Sequence, residues 1–456
     1  MPDIAFYDGR LRFEAFDCIC GRHHELPIRQ IVAYPGAVAD VSETLDNLDS
    51  WRDVLMVSDE DTFEAAGAEV ERRLRDSGRR VSHCCFPTRD WVKPDEYAVG
   101  NVLLNMEKST ELLLVVGSGC LTDLTRFVSF HTAVPFVSVA TAPSMDGYAS
   151  NGSPMMHGGY KKTVYTTSPE AVIADIDVLK TAPRSMIASG FADTIGKLTS
   201  RIDWKLGNIV RGEYYCPVFV DLVDRAVERC MDNVDDIASG VTPAVTELTE
   251  SLLISGVAML IIGNSRPASG SEHSLSHYWE MKTARTGGTE FFHGTKVGVG
   301  TVVTALFADR FFARNPASID PETFLREDVH LAEVESRLRD GLGPVAERII
   351  QTVTRPEHLN REARRTEAER ITTRWPHISS LSELCPTAID VVRTLRRVGG
   401  AAFPKEIDVD SAHLRETLMN AKEVRSRYTL MRAAETLGWL EEICEEVIDG
   451  IEELAE

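Results

Sequence analysis

Residues 111–119 read Glu-Leu-Leu-Leu-Val-Val-Gly-Ser-Gly, an apolar run that ends in a glycine-containing turn. Apolar residues within 121–128 then recur at helical spacing, so this stretch predicts a buried strand, a tight turn and a helix. Glycines at such a turn let a phosphate approach the backbone, and a helix N-terminus favours anionic charge. The motif departs from G-x-G-x-x-G because Thr122 occupies the position of the third glycine. The turn therefore predicts either a pyrophosphate site or only a tight corner.

Strand and helix signals alternate on both sides of this turn. The sequence predicts strands over 54–57, 80–86 and 135–139, and helices over 63–74 and 97–108. Such alternation indicates a parallel sheet with helices on its faces. Beyond about residue 185 helical periodicity dominates, and we predict helices over 244–263, 301–312 and 412–437. Pro183 interrupts the pattern, so we place a boundary between an α/β domain at 1–183 and an all-α domain at 184–456.

Composition restricts the classes of partner. The 456 residues carry a formal net charge of −21, which argues against nucleic acid and anionic membranes because both need a basic surface. We find neither a signal peptide nor an apolar run near the ~18 residues that span a bilayer. We therefore expect a soluble, cytoplasmic protein with no membrane partner.

Nine cysteines form an odd number and suggest no disulfide framework, which fits a reducing compartment. The segment from Cys18 to His24, Cys-Ile-Cys-Gly-Arg-His-His, is similar to a zinc cluster. Its spacing is C-x-C rather than C-x₂-C, and no second Cys or His pair follows nearby. Buried or half-buried thiols are the simpler interpretation.

Three of the twelve histidines, His273, His277 and His293, fall within 21 residues. If the stretch is helical, the i, i+4 pair His273 and His277 shares one face, which occurs both in metal sites and on solvated helices. Asp193 lies at the predicted start of another helix, where an acidic residue is usually a cap. One carboxylate with two histidines would nevertheless hold a divalent cation with open positions.

Two further segments have the composition of ligand loops. Residues 141–152 form a polar loop directly after a predicted strand, where the ligands of α/β sheets bind. Lys161 and Lys162 offer two cations for an anionic substrate. The loop is also compatible with an ordinary surface connection, and paired lysines usually face solvent.

The motifs taken together resemble one family. GSGCLTD at 117–123, TAPSMDGYAS at 141–150, SPEAVIADIDVL at 168–179, SGFADTIGK at 189–197, SRPASGSEHSLSHYWEM at 265–281 and HGTKVGVGT at 293–301 occur in this order. The chain resembles the glycerol-1-phosphate dehydrogenases, including their bacterial AraM-like members. These belong to the superfamily of iron-containing alcohol dehydrogenases and dehydroquinate synthase. The resemblance implies a Rossmann-like dinucleotide-binding domain followed by a helical domain, as in dehydroquinate synthase.

The resemblance also implies roles for individual residues. The metal ligands would be Asp193, His273 and His293. Substrate would contact Asp146, His277, Asp193, Lys161 and Lys162, with Asp146 and His277 as the catalytic pair. The cofactor would contact Gly117, Gly119, Cys120, Leu121, Thr122, Asp123, Thr141, Ser144 and Ser150. Asp59, after the first core strand, is our candidate for the adenosine ribose, with Asp61 close behind, and Arg266 is a further candidate for the substrate phosphate.

The implied reaction interconverts dihydroxyacetone phosphate and sn-glycerol 1-phosphate. It would use NAD(H) or NADP(H) and one divalent ion, for which zinc is the first choice and nickel or iron are alternatives. The enzyme would be a homo-oligomer. Ser118 replaces one of three successive glycines common among relatives, but serine is small enough for the turn. The alternatives are a dehydrogenase of a non-phosphorylated polyol or alcohol, a cyclase of the dehydroquinate synthase kind, and a non-catalytic sensor or assembly subunit. The charged segment 357–374 receives no function.

Overall fold

The computed structural model describes residues 3–316, 331–352 and 361–456. The chain forms two compact units that alternate along the sequence. The first comprises Met1–Thr194 and Pro217–Ser265, and the second comprises Ile195–Cys216 and Arg266–Glu456. The single domain boundary after residue 183 stays a prediction, and the two compact units divide the chain at other positions.

All strands found in the described residues belong to the first unit. They are β1 Ala5–Tyr7, β2 Arg10–Arg12, β3 Phe16–Asp17, β4 His23–His24, β5 Gln30–Tyr34, β6 Asp53–Asp59, β7 Arg80–Phe86, β8 Leu112–Gly117, β9 Phe136–Ala140, β10 Gly152–His157, β11 Tyr160–Tyr165 and β12 Ala171–Asp175.

Eight of these strands form one sheet in the order β1-β2-β5-β12-β9-β8-β6-β7. From β5 to β7 every neighbouring pair is parallel, and only β1 and β2 add antiparallel pairing at one edge. All six residues of the central strand β8 are buried, as expected where both faces of a parallel sheet are covered. The α/β prediction for the N-terminal region is confirmed.

Helices connect the strands and make up the second unit. The helices are α1 Val41–Asp46, α2 Glu60–Thr62, α3 Ala68–Asp76, α4 Glu96–Asn105, α5 Gly119–Thr132, α6 Ile176–Leu179, α7 Arg184–Ile195, α8 Lys197–Arg211, α9 Pro217–Asp232, α10 Val234–Ser239, α11 Thr242–Ile262, α12 Ser271–Thr286, α13 His293–Phe312, α14 Leu331–Leu342, α15 Val345–Thr352, α16 Arg361–Thr373, α17 Trp375–Ser379, α18 Ala388–Arg397, α19 Ser411–Asn420, α20 Leu430–Thr436 and α21 Leu440–Ala455. A π-helical turn at Phe63–Gly67 joins α2 to α3, and 3₁₀ turns lie at Ala37–Asp40, Ser380–Leu384, Pro404–Ile407 and Ala421–Glu423.

Strand alternation divides the core of the first unit between the two faces of the sheet. Met56 and Leu114 pack into one cluster with α1 and α3, whereas Leu55 and Leu113 pack into another with α4 and α5. Under the β5 and β12 end of the sheet, residues of α11 such as Val257 complete a third cluster. The parallel strands thus have buried apolar side chains packed against both of their faces.

The long apolar helix α11 corrects one expectation. Thr242–Ile262 has the length and composition of a membrane span, although the sequence analysis found no such segment. In the structure 72% of the most apolar 18-residue stretch of this helix is buried. Burial of this extent is typical of the core helix of a folded domain rather than of a lipid-facing one.

The predicted helix over 412–437 is wrong as a single element. The chain forms α19, the 3₁₀ turn at Ala421–Glu423 and, after an irregular stretch, α20. Thr429 caps α20 through its hydroxyl, which accepts from the N–H of Arg432. A local cap therefore restarts the helix at a point where apolar periodicity alone predicts continuity. In the charged segment 357–374, residues 357–360 lie outside the described residues and most of the rest is α16.

Candidate active site and metal centre

Three imidazole rings meet in the second unit. Helix α12 carries His273 and His277 one turn apart, and His293 is the first residue of α13. The ring centroid of His293 lies 5.3 Å from that of His273 and 5.4 Å from that of His277. The centroids of His273 and His277 are 6.3 Å apart, as suits an i, i+4 pair. The fold thus gathers the three histidines that the sequence analysis selected.

Close packing of α12 on α13 explains the glycine at position 300. A Cβ at Gly300 would lie 2.6 Å from the carbonyl oxygen of Glu272, so no larger residue fits without displacing α12. The Glu272 side chain is completely buried and accepts from the Gly270 N–H and the Thr199 hydroxyl. Burial raises its pKa, but these bonds and the one to His273 outweigh burial and lower the pKa below its ordinary value.

Each of two histidines is oriented by a carboxylate. Nδ1 of His273 lies 2.8 Å from Oε1 of Glu272, and Nδ1 of His293 lies 3.1 Å from Oε1 of Glu280. A carboxylate accepts a proton donor, so Nδ1 carries the hydrogen and Nε2 keeps its lone pair. Carboxylates bound in this way to the outer nitrogen are typical of histidines that ligate metals. His273 and His293 therefore fit the role of metal ligands.

His277 is held differently from the other two histidines. Its Nδ1 lies 2.9 Å from Oε2 of Glu280, and its Nε2 lies 2.6 Å from Nη2 of Arg425. Because a guanidinium only donates, Nε2 accepts and the ring hydrogen is on Nδ1. His277 therefore has polar contacts at both ring nitrogens, and its role at the substrate stays a prediction.

Besides Glu272, sequence reasoning missed three neighbours of the histidines. Glu280 contacts His277 and His293 with its two oxygens, and Nζ of Lys296 lies 3.2 Å from its Oε1. Glu280 stands three residues after His277, so helical spacing was a usable signal for it. Arg425 is 148 residues away in the chain, and no local pattern points to it.

In the first unit, Asp193 is a completely buried residue of α7. Its Oδ2 accepts from the backbone N–H of Asp146 at 3.1 Å. A Cβ at Gly190 would lie 1.8 Å from the carbonyl oxygen of Pro143, so only glycine lets the loop lie against α7. Asp193 is therefore not the helix N-cap considered from sequence. Its hydrogen bond joins α7 to the loop that carries Asp146, which is predicted to be catalytic together with His277.

The predicted strand, turn and helix around Gly117 are present. Strand β8 ends at Gly117, Ser118 is extended, and α5 begins at Gly119. A Cβ at Gly119 would lie 3.0 Å from the side chain of Met145, so the turn is tightly packed on the following loop. The N–H of Thr141 donates to the Gly117 carbonyl, which fixes that loop beside the turn. The N-terminus of a 14-residue helix at the carboxyl end of a central strand suits an anionic group.

The other residues predicted to contact the cofactor at this turn differ in the groups that they could present to a ligand. Leu121 and Thr122 are buried in the core, so any contribution to ligand binding comes from their backbone N–H groups. The Cys120 thiol accepts from the Trp91 indole N–H at 2.7 Å. Asp123 is paired with Arg126 at 2.7 Å. None of these placements tests a cofactor contact, and the roles stay predictions.

Asp123 has an unusual electrostatic environment. Burial raises its pKa to about 7, although Arg126 and Lys161 favour the charged form. Lys161 and Lys162 lie on β11, where Lys161 is half-buried and Lys162 is exposed. The two lysines thus face opposite sides of the hairpin, and the structure associates only Lys161 with the turn.

The remaining candidates already have structural partners. Oδ1 of Asp59, at the end of β6, accepts from the N–H of Thr62 and caps α2. The Ser150 hydroxyl donates to the Gly147 carbonyl at 3.0 Å. Arg266, in the second unit, donates to the carbonyl of Tyr428. Asp61 forms an ion pair with Arg89. The N–H of Thr141 donates to the Gly117 carbonyl, and the Ser144 carbonyl accepts from the Ser189 hydroxyl.

Comparison with known proteins adds an independent line of evidence. A family described as iron-containing alcohol dehydrogenase matches residues 32–183. A Halalkalibacterium halodurans protein named as an NAD(P)+ glycerol-1-phosphate dehydrogenase is 34% identical, covering 91% of this chain and 95% of the relative. A Bacillus licheniformis protein with the same name is 31% identical, covering 93% of each chain.

Solved structures agree on the fold. An iron-containing alcohol dehydrogenase from Thermococcus thioreducens superposes with a TM-score of 0.61 at 14% identity, covering 94% of this chain and 100% of the other. A glycerol dehydrogenase from Schizosaccharomyces pombe superposes with a TM-score of 0.59 at 13% identity, covering 92% and 90%. At these identities the likeness concerns the fold alone. It confirms the predicted architecture.

Proposed function

Because this chain belongs to the glycerol-1-phosphate dehydrogenase family, we propose that it is a metal-dependent, NAD(P)-linked oxidoreductase that interconverts dihydroxyacetone phosphate and sn-glycerol 1-phosphate. The observation that carries this proposal is the match of relatives named for this activity over 93–95% of their own length. The carboxylate-oriented histidines of the second unit support it, because a sensor or assembly subunit has no need of them.

In this proposal Asp193, His273 and His293 hold the divalent ion. The lone pairs on Nε2 of the two histidines and the buried carboxylate make a donor set that suits zinc, nickel or iron. When bound, the ion acts as a Lewis acid toward the substrate carbonyl oxygen. Glu272 and Glu280 keep the imidazoles in the ligating tautomer. Zinc is our first choice among the three.

The turn from Gly117 to Asp123 holds the pyrophosphate of the dinucleotide. Its backbone N–H groups and the dipole of α5 attract the phosphates, and Gly119 lets them approach. Asp59 binds the adenosine ribose, and Thr141, Ser144 and Ser150 line the neighbouring loop. When bound, the nicotinamide supplies or accepts the hydride.

His277 and Asp146 act on the substrate. The imidazole of His277, aligned by Glu280 at Nδ1 and by Arg425 at Nε2, exchanges the proton of the secondary alcohol through Nε2 when the substrate takes the place of the Arg425 N–H there. The Arg425 guanidinium and Lys161 provide positive charge for the substrate phosphate, with Lys162 as the weaker candidate. The enzyme works in the cytoplasm as a homo-oligomer, with no nucleic-acid or membrane partner.

The experiment uses the purified protein with dihydroxyacetone phosphate, each reduced cofactor and a panel of divalent ions. We expect metal-dependent oxidation of NADH or NADPH, and chiral analysis should identify the product as sn-glycerol 1-phosphate. Dihydroxyacetone is the matched control, since it lacks only the phosphate. Faster turnover of dihydroxyacetone would assign the chain to the polyol dehydrogenases, and turnover without net cofactor oxidation would indicate a cyclase.

A further inference from the structure

A second group of metal-ligating side chains lies in the first unit, among residues that the proposed reaction does not use. The thiols of Cys18 and Cys20 and a ring nitrogen of His24 all lie within 4.8 Å of one another. Nε2 of His24 is 3.2 Å from the Cys20 sulfur. The group belongs to the N-terminal hairpin and not to the cofactor turn or the histidine cluster.

The hairpin brings these three side chains together. Strands β3 and β4 pair antiparallel, and the tight turn between them contains both cysteines. The Gly21 N–H donates to the Cys18 carbonyl, and the Cys18 N–H donates to the Arg22 carbonyl, each at 2.9 Å. Gly21 has a φ of 85°, which an L side chain rarely adopts. The C-x-C spacing is therefore sufficient for both cysteines to reach one metal ion, because the turn brings the two thiols close together.

His24 is fixed before any ligand binds. It is 2% exposed, and its ring packs against Phe16 at 5.4 Å and edge-on against Phe219 of α9 at 5.1 Å between centroids. With these ring contacts in place, the Nε2 edge of the imidazole faces the Cys20 sulfur. A ligand held in one orientation loses little side-chain entropy when a metal binds.

The donor types and their separation suit zinc. A tetrahedral zinc ion takes sulfur ligands at about 2.3 Å and imidazole nitrogen at about 2.0 Å, so neighbouring ligand atoms are roughly 3.3–3.8 Å apart. Separations up to 4.8 Å need only small side-chain rotations to reach this geometry. Thiolates disfavour magnesium and calcium, which bind oxygen.

The fourth ligand follows from the chain connectivity. Cys216 is buried and directly precedes Pro217, the first residue of α9, and the same helix places Phe219 against His24. We propose that Cys18, Cys20, His24 and Cys216 bind a structural zinc ion. Four protein ligands leave no open position for substrate, so the ion stabilises and does not catalyse. It fastens the N-terminal hairpin to the beginning of α9.

The first test measures zinc in protein purified without chelators. The background is His273→Ala, which removes a proposed ligand of the other metal. We expect one equivalent of zinc per chain, and X-ray absorption at the zinc edge should show three sulfur ligands at about 2.3 Å with one nitrogen. Zinc without sulfur ligands, or no zinc at all, would overturn the proposal. So would a disulfide that joins Cys18 or Cys20 to another cysteine in mass spectra of the unreduced protein.

Single substitutions then assign the ligands. Cys20→Ser and Cys216→Ser should each release the sulfur-bound zinc and lower the melting temperature, whereas Cys85→Ser on β7 should retain it. Retention of zinc by Cys216→Ser, with two sulfurs remaining, would remove Cys216 from the site. Turnover of dihydroxyacetone phosphate by the wild-type enzyme is measured separately. Its absence would contradict the proposed function and leave this zinc site standing.

Discussion

The guanidinium Nη2 of Arg425 lies 2.6 Å from Nε2 of His277, although 148 residues separate them in the chain. The same imidazole is bound at Nδ1 by Glu280. Two partners on opposite sides fix the plane and the tautomer of this ring. Arg425 therefore positions the group that we expect to exchange a proton with substrate.

Arg425→Ala should lower kcat for dihydroxyacetone phosphate by about 100-fold, because a proton carrier that turns freely loses its alignment. Steady-state kinetics measure this effect, and the dissociation constant of NADH should stay unchanged. Arg427→Ala is the matched control, since Arg427 lies on the same segment and donates to the Ser269 carbonyl. Equal losses in both variants would indicate a general weakening of this segment.

Glu280→Gln should weaken the binding of the divalent ion by about 10- to 100-fold, because an amide orients His293 less firmly and adds no negative charge. Titration of the metal-free protein with zinc, followed by activity, measures the affinity. Glu416→Gln is the control, since Glu416 also accepts hydrogen bonds from α12, but from Tyr278 and Lys282 rather than from the histidine cluster. Unchanged metal affinity in Glu280→Gln would exclude this role.

His273→Ala and Asp193→Ala should each abolish turnover while NADH still binds, because both remove a proposed metal ligand and neither belongs to the cofactor turn. Chelation of the wild-type enzyme should give the same phenotype, and added zinc, nickel or iron should restore only the wild type. Full activity of either variant after rigorous metal removal would contradict the assignment.

Asp59→Ser separates ribose binding from helix capping. Serine retains the cap, whereas alanine would cost about 1 kcal/mol of stability. Loss of the carboxylate should raise the dissociation constant of NADH about tenfold, at a constant melting temperature. Asp95→Ser, at the equivalent cap of α4, should change neither quantity. If NADH binds Asp59→Ser as tightly as wild type, Asp59 is not in the site.

Asp123 predicts a pH dependence of cofactor binding. Its pKa is raised to about 7, so the carboxyl is largely neutral below that pH and charged above it. Ionisation puts a negative charge beside the pyrophosphate turn, and the dissociation constant of NADH should therefore rise as the pH increases through 7. Asp123→Asn should flatten this dependence in a fluorescence titration. A slope identical to that of wild type would assign the titration to another group.

Local patterns predicted the elements but not the contacts between distant ones. Residues 111–119 form the predicted strand and turn because a run of large apolar side chains is buried on both faces of the sheet. Glu280 was accessible through its spacing from His277, whereas the contact of Arg425 with His277 arises only from tertiary packing. The helix predicted over 412–437 failed because the cap at Thr429 overrides the apolar periodicity.

The interleaved course of the chain has a consequence for biosynthesis. Val245, Leu253 and Val257 of α11 fill the core beneath β5 and β12, yet they are translated after the whole sheet and after residues 195–216 of the other unit. The ribosome must therefore deliver residue 265 before the first unit can close its apolar core. Until then the nascent sheet keeps an uncovered apolar surface, which makes this interval the point at which we expect chaperones to engage. A fragment truncated at residue 183 should for the same reason aggregate instead of folding.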